Sequence, residues 1–263
     1  MFFNYNQSIR RAHQLVLFLA DWLFPRECVM CAQEGEWLCA TCRHKVGYLP
    51  RQVCLICQAD KEGMVCVSHN LFIDRFFSAF SYRDDVIEYS PLERDARRAG
   101  CVKQLVKLFK YHFSREAGDI LAGLLIDFLK ADDQQKILRL LNHWSAQNKL
   151  LVLAVPLSKR RERWRGFNQA KILANQVADG FVWRFDNKNL IRIKHNKPQA
   201  ELTALARRNN LTKSFVWQGE SLSGFAVLLI DDVATTGTTL NECARALKAS
   251  GASKVYGLTI AHG

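Results

Sequence analysis

No apolar run in this chain of 263 residues approaches the roughly 20 residues that a membrane-crossing helix needs. Near the amino terminus, Arg10 and Arg11 precede the apolar stretch Leu15 to Ala20 in the manner of an export signal. Asp21 interrupts that stretch, and no A-x-A cleavage site follows. Residues 1–24 read instead as a short amphipathic helix whose Leu15, Leu19, Trp22 and Leu23 pack on the protein, or on a partner or membrane surface. With no transmembrane segment in view, the expected compartment is the cytoplasm. Acidic residues are scarce too: 25 Asp and Glu stand against 37 Lys and Arg, for a net charge of +12 and a pI near 9.4. Polyanions are the natural partners of such a balance. Repeats are absent apart from cysteine knuckles. A hydrophobic content of 49% excludes disorder and suffices for one α/β domain plus a smaller module.

Cysteine is abundant and unevenly placed. Seven of the nine lie between Cys28 and Cys66, as Cys28-x2-Cys31, Cys39-x2-Cys42, Cys54-x2-Cys57 and then Cys66-x2-His69. Each knuckle puts two soft donors on one turn, and two knuckles complete the tetrahedron that Zn2+ favours. The expected grouping is one four-cysteine site and one site of Cys54, Cys57, Cys66 and His69, an interleaved pairing being the alternative. A disulfide framework is disfavoured by the odd count and the lack of an export signal. Four protein ligands leave no open position, so both sites read as structural, giving a fold to a segment of residues 25–70 too small for a large core. Cys101 and Cys243 fall outside the pattern, and Cys243 reads as core.

The run from Val227 through Leu240 carries the chemistry. Val227 to Ile230 reads as a strand buried in a parallel sheet, Asp231 and Asp232 as carboxylates at its carboxyl end, and Thr235 to Thr239 as a hydroxyl-rich turn around Gly237. Leu240, Cys243, Ala244 and Leu247 then recur with helical spacing. Unpaired N–H groups at a helix start and threonine hydroxyls suit a phosphate, and paired carboxylates suit vicinal sugar hydroxyls. A sugar phosphate is the ligand so described, a plain helix cap being the bland alternative.

Upstream, residues 71–83, with Phe72, Phe76, Phe77, Phe80 and Tyr82, read as a strand or hairpin entry, residues 84–100 as a charged surface excursion, and Leu105 to Phe109 and Ile120 to Phe128 as two helices. The polar stretch Ala131 to Lys149 reads as a connection to a strand over Leu150 to Val155. Pro156-Leu157-Ser158-Lys159-Arg160-Arg161-Glu162-Arg163-Trp164-Arg165-Gly166-Phe167-Asn168-Gln169 follows, a basic loop suited to pyrophosphate, with a turn before a helix through Ala178. Such runs are otherwise solvated surface.

The motif Val227 to Leu240 resembles the binding signature of type I phosphoribosyltransferases, which bind phosphoribosyl pyrophosphate (PRPP). That resemblance implies an α/β fold over residues 71–263 with a mainly parallel sheet. It implies that Asp231 and Asp232 hold the ribose hydroxyls with Mg2+ nearby, that Asp231, Asp232, Val233, Ala234, Thr235, Thr236, Gly237, Thr238 and Thr239 form the PRPP site, and that Leu157, Ser158, Lys159 and Arg160 receive pyrophosphate. More widely the chain resembles the ComF family, associated with DNA uptake in competence and with use of DNA as nutrient. The resemblance rests on Leu23-Phe24-Pro25 ahead of the knuckles, Phe109-Lys110-Tyr111, Val155-Pro156-Leu157 through Gln169, and Gln199, Arg207, Asn209 and Phe215. About 12 extra residues between Tyr82 and Lys110, and Asn196 where threonine is common, depart from the pattern. A ComF-like protein is expected to bind PRPP and act with single-stranded DNA and competence or DNA-handling proteins. Arg163, Trp164, Arg165, Gly166, Phe167, Asn168, Gln169, Lys194, Lys197, Gln199, Arg207 and Arg208 are the candidates for nucleic-acid or acceptor contact. The alternatives are an active nucleobase-salvage transferase and a PRPP-sensing adaptor that binds a protein through its ribbons. No dedicated general base stands out.

Overall fold

The computed structural model describes residues 26–59, 64–82, 96–193 and 214–263. The helix expected over residues 1–24 lies outside these, as do Lys194, Asn196, Lys197, Gln199, Arg207, Arg208 and Asn209.

Five strands make a wholly parallel sheet in the order β1-β7-β6-β2-β3, formed by β1 (Arg75–Ser81), β2 (Leu150–Ala154), β3 (Arg184–Asp186), β6 (Ala226–Ala234) and β7 (Lys254–His262). A two-stranded antiparallel ribbon, β4 (Leu190–Arg192) with β5 (Phe215–Trp217), stands apart. The longer described helices are α1 (Ala96–Tyr111), α2 (Arg115–Lys130), α3 (Gln135–Ala146), α4 (Lys159–Arg165), α5 (Gln169–Phe181) and α6 (Thr238–Ala249), with short helical turns at Ala40–Arg43, Val67–His69 and Asp132–Gln134. The apolar strands behave as their sequences dictate: all five residues of β2 and the first five of β6 are buried, as befits strands covered on both faces.

Strand order fixes where a ligand can sit. From β2 the chain crosses over α5 to β3 on one side, and from β6 it crosses over α6 to β7 on the other. Right-handed crossovers in opposite directions place α5 and α6 on opposite faces, so the sheet order reverses between β2 and β6. The crevice beyond the carboxyl ends of those two strands is the usual ligand position in an open α/β sheet. Here it receives Asp231 and Asp232 from β6 and the basic segment that follows β2.

Three local expectations are corrected. The stretch from Ala131 to Lys149 is no mere connection: it contains α3, which buries Ile137 and Leu141 and lets Trp144 Nε1 donate to Tyr256 Oη at 3.2 Å. Its apolar spacing was diluted by the Lys, Arg, Asn and His between. The basic segment forms a helix of its own, α4, capped by Ser158, whose side chain accepts from the Arg161 amide. Finally, β6 runs on through Ala234, so the aspartates lie within the strand rather than beyond it, with Asp231 opposite Thr259 and Ala234 opposite His262 on β7. The segment over residues 71–83 contains a strand, β1, and the two helices expected after it are α1 and α2; α1 already begins at Ala96, inside the span read as an excursion, and residues 83–95 lie outside the described ones.

The cysteine-rich segment docks along the β1 edge. Leu49 N donates to Ala79 O at 2.8 Å, Ser78 N donates to Gln52 Oε1 at 2.8 Å, and the Arg43 guanidinium grips Asp127 of α2 at 2.6 Å. An edge strand whose free N–H and C=O groups are engaged this way no longer offers a template for stray pairing.

Candidate active site and metal centres

The two knuckle pairs resolve as the consecutive grouping. Cys28, Cys31, Cys39 and Cys42 form one cluster and Cys54, Cys57, Cys66 and His69 the other, with all ligand atoms of each within 4.8 Å. Cys31 and Cys39 sulfurs stand 3.7 Å apart, and Cys57 and Cys66 sulfurs 3.6 Å apart. A tetrahedron with Zn–S bonds of about 2.3 Å has an edge of ~3.8 Å, so the donors fit zinc. The clusters repeat one design. Cys39 N lies against Cys28 Sγ and Cys66 N against Cys54 Sγ, both at 3.5 Å, and each first knuckle ends on a residue of positive φ, Ala32 or Gln58. Crowding divides the thiols. Burial opposes ionisation of Cys28 and Cys54, yet backbone amides, those of Cys39 and Cys66 first, bring both down to about 6. Burial raises Cys42, and the neighbouring Cys57 sulfur, ahead of burial, pushes Cys66 up to about 11. A dication at the centre lets all the thiols ionise together. His69 Nε2 is buried without a hydrogen-bond partner, as a metal-ligating nitrogen would be.

Asp231 and Asp232 occupy the reversal crevice. Val233 N donates to Asp232 Oδ1 at 2.6 Å, and Lys110 Nζ of α1 pairs with the same oxygen at 3.0 Å. Asp232 N donates to Asp231 Oδ1 at 2.8 Å. Lost hydration, followed by the Asp232 charge, holds the Asp231 carboxyl well above the ordinary carboxylate range, against the pull of the Asp232 amide, Lys110 and Arg165. A carboxyl so raised stabilises the folded protein fully below its unfolded pKa, and that contribution is lost as pH rises through the folded value. The opposite trend is expected for a hydroxyl-bearing ligand that needs the ionised form. For PRPP, the ligand expected from the sequence, affinity measured by calorimetry from pH 6 upward should therefore strengthen until Asp231 is ionised, and Asp231→Asn should flatten that profile.

Beyond the strand, the hydroxyl-rich turn leads into α6. Gly237 is the residue before the helix, at φ 65°, and Thr235, Thr236, Thr238 and Thr239 are all exposed. Thr236 and Thr238 hydroxyls meet at 2.9 Å. The first N–H groups of the 12-residue helix complete a cradle for a phosphate. The floor of the cradle comes from elsewhere in the chain. A Cβ on Gly237 would lie 2.4 Å from Leu55 Cγ, and Leu55 is fully buried between ligands Cys54 and Cys57. His262 Nε2 meets the Leu55 carbonyl at 3.1 Å. The first knuckle of the second cluster thus rests directly on the threonine turn, a contact with no sequence signal.

Leu157 to Arg160 leave β2 on the other side of the crevice, with Lys159 and Arg160 opening α4. The candidates from Arg163 to Gln169 divide sharply. Arg163 and Trp164 are exposed, whereas Gly166 closes α4 at φ 75°, Phe167 packs on Phe109 and Asn168 is buried, its amide donating to Val155 O at 3.0 Å and its oxygen capping α5. Arg165 donates to Gln169 Oε1 at 3.0 Å. Arg165 Nε and Gln169 Nε2 remain buried donors without acceptors, each an expense of about 1–3 kcal/mol unless a ligand oxygen reaches it. Lys110 was named beforehand only through the family resemblance, and its pairing with Asp232 is a tertiary contact no spacing reveals.

A parallel sheet with a sugar-phosphate cradle at its reversal point, carrying two four-ligand metal clusters, defines a phosphoribosyltransferase-fold protein with a double zinc ribbon. Residues 19–68 match the double zinc ribbon domain and residues 165–261 the phosphoribosyl transferase domain. The chain belongs to the ComF family. It is 25% identical to the competence protein ComFC of Bacillus subtilis over 97% of this chain and 98% of that one. It is 34% identical to the DNA utilization protein YhgH of Salmonella typhi and 37% identical to competence protein F of Haemophilus influenzae, each over 40% of this chain. Those two matches span less than half of the relatives' length, 45% and 46%.

Proposed function

We propose that this protein binds PRPP in the crevice between β2 and β6 and acts with single-stranded DNA during its uptake or use, in the cytoplasm. One observation carries the reading: paired carboxylates on β6 lead through an open threonine turn into the start of α6, and the basic segment after the neighbouring strand β2 brings the Arg165 charge to bear on Asp231. Asp231 and Asp232 orient the ribose hydroxyls, Thr235 to Thr239 hold the 5-phosphate, and Leu157 to Arg160 receive the pyrophosphate. The oxygen donors of the aspartates suit Mg2+, which would neutralise pyrophosphate charge when bound. The DNA half is supported by the names of the relatives and by the cations of α4.

Thermal shift tests the pocket. At 100 times its dissociation constant PRPP with Mg2+ stabilises by about 2.7 kcal/mol, or roughly 5–10 °C in a chain of this size. Asp231→Asn combined with Asp232→Asn should abolish that shift, and an unchanged shift would reject the pocket. Pyrophosphate release with free nucleobases distinguishes an active salvage transferase from a binding protein. An adaptor that works only through its ribbons would bind no DNA in a salt-dependent manner.

A further inference from the structure

Three large rings crowd the surface beside the ribose pocket. Tyr111 ends α1, Phe113 follows it at φ 55°, and Trp164 lies on α4, at 57%, 40% and 60% exposure. They touch edge to face: the Trp164 ring centroid is 6.3 Å from that of Tyr111 and 5.7 Å from that of Phe113. The Arg165 guanidinium lies 6.0 Å from the centroids of both Tyr111 and Trp164. Rings that served only the core would have been covered, and a contiguous exposed aromatic patch marks a binding surface.

Its setting selects the occupant. Lys159, Arg160, Arg161 and Arg163 of α4 share the helix with a single acid, Glu162, which faces Lys171 at 3.7 Å. A ligand matching such a surface carries repeated negative charge together with flat apolar faces. Duplexes hide those faces within the stack, and a free base lacks the charge; a single strand offers both. Position adds a second argument. Lys110, next to Tyr111, holds Asp232, and the charge of Arg165, next to Trp164, acts on Asp231.

We propose that Tyr111, Phe113 and Trp164 form a stacking platform for the unpaired bases of a single-stranded nucleic acid whose phosphates run along α4, delivering one base to the mouth of the ribose pocket. The stacking rests on the DNA half of the proposed function and is independent of whether PRPP binds, whereas delivery to the ribose pocket rests on the PRPP half as well.

The test is fluorescence anisotropy on the full zinc-loaded chain, with a labelled oligothymidylate of about 12 nucleotides and an abasic strand of equal charge. The wild type should prefer the oligothymidylate about tenfold or more. Trp164→Leu with Tyr111→Leu and Phe113→Leu should lower its affinity to that for the abasic strand, leaving the abasic affinity and the salt dependence intact, whereas Trp164→Phe should retain the preference. Equal wild-type affinity for both strands overturns the platform while leaving DNA as a partner. Binding of neither strand overturns both, with the PRPP thermal shift judging the pocket separately. Equal loss of both strands in the triple variant makes the rings structural and also overturns it, as does tighter binding to phosphatidylserine vesicles or to free thymine than to the oligothymidylate.

Discussion

Gly237→Ala is expected to abolish the PRPP-dependent thermal shift and to lower the melting temperature of the free protein. Two separate penalties act at this position. At φ 65° an L-residue with a Cβ is strained by about 1–2 kcal/mol, and the new methyl would sit 2.4 Å from Leu55 Cγ in a filled contact. Overpacking of this kind costs about 1–3 kcal/mol, so the sum corresponds to a fall of roughly 5–15 °C. Leu55, fully buried, fills the space beneath the turn, so the loop must move and the threonine hydroxyls move with it. Adding Leu55→Ala separates the penalties: the contact is relieved and the strain remains. Partial recovery of stability without full recovery of ligand binding is expected in the double variant, read by differential scanning calorimetry. An unaltered PRPP shift in Gly237→Ala would show that the turn does not hold the phosphate.

Loss of zinc from the second cluster is the other large effect. Structural zinc contributes about 10–16 kcal/mol of apparent binding free energy to small domains that cannot fold without it. Leu55 lies between two ligands of that cluster, and its carbonyl is tied to His262 on β7. Cys57→Ser should therefore lower the bound zinc from two ions to one per chain, measured by mass spectrometry, and also abolish the PRPP thermal shift. Cys31→Ser touches the other cluster, which contacts the helical side of the protein through the Arg43 pair with Asp127. It should leave a larger fraction of PRPP binding. If both variants lose one zinc and bind PRPP like the wild type, the ribbon and the loop are independent.

Much of this was legible in the sequence, for reasons that differ by element. Both metal clusters could be read because their ligands come in tight local pairs, and the consecutive grouping is the one the fold adopts. The strand, turn and helix from Val227 to Leu247 could be read because period and composition change abruptly at Asp231 and Gly237. Helix α3 was missed since only Ile137 and Leu141 of its residues are deeply buried. A helix with so narrow an apolar stripe resembles a polar connection when read locally. The Lys110 pair with Asp232 and the seating of Leu55 under Gly237 join residues far apart in sequence, and no periodicity encodes them. The inward turn of Asn168 and Phe167, placed beforehand among ligand contacts, arises because the α4 to α5 corner needs its own cap and packing.

The position of β7 has a consequence for how the molecule is made. This strand lies between β1 and β6, so β1 reaches the rest of the sheet only through a partner synthesised long after it. Asp74, at the start of β1, accepts from the Val255 amide 181 positions later. On the ribosome, the ribbons can take up metal early while β1 waits with one edge open. The strand end that leads into the threonine turn and the knuckle beneath that turn are both tied to His262 of β7, so assembly of the site is a late event in the life of each nascent chain.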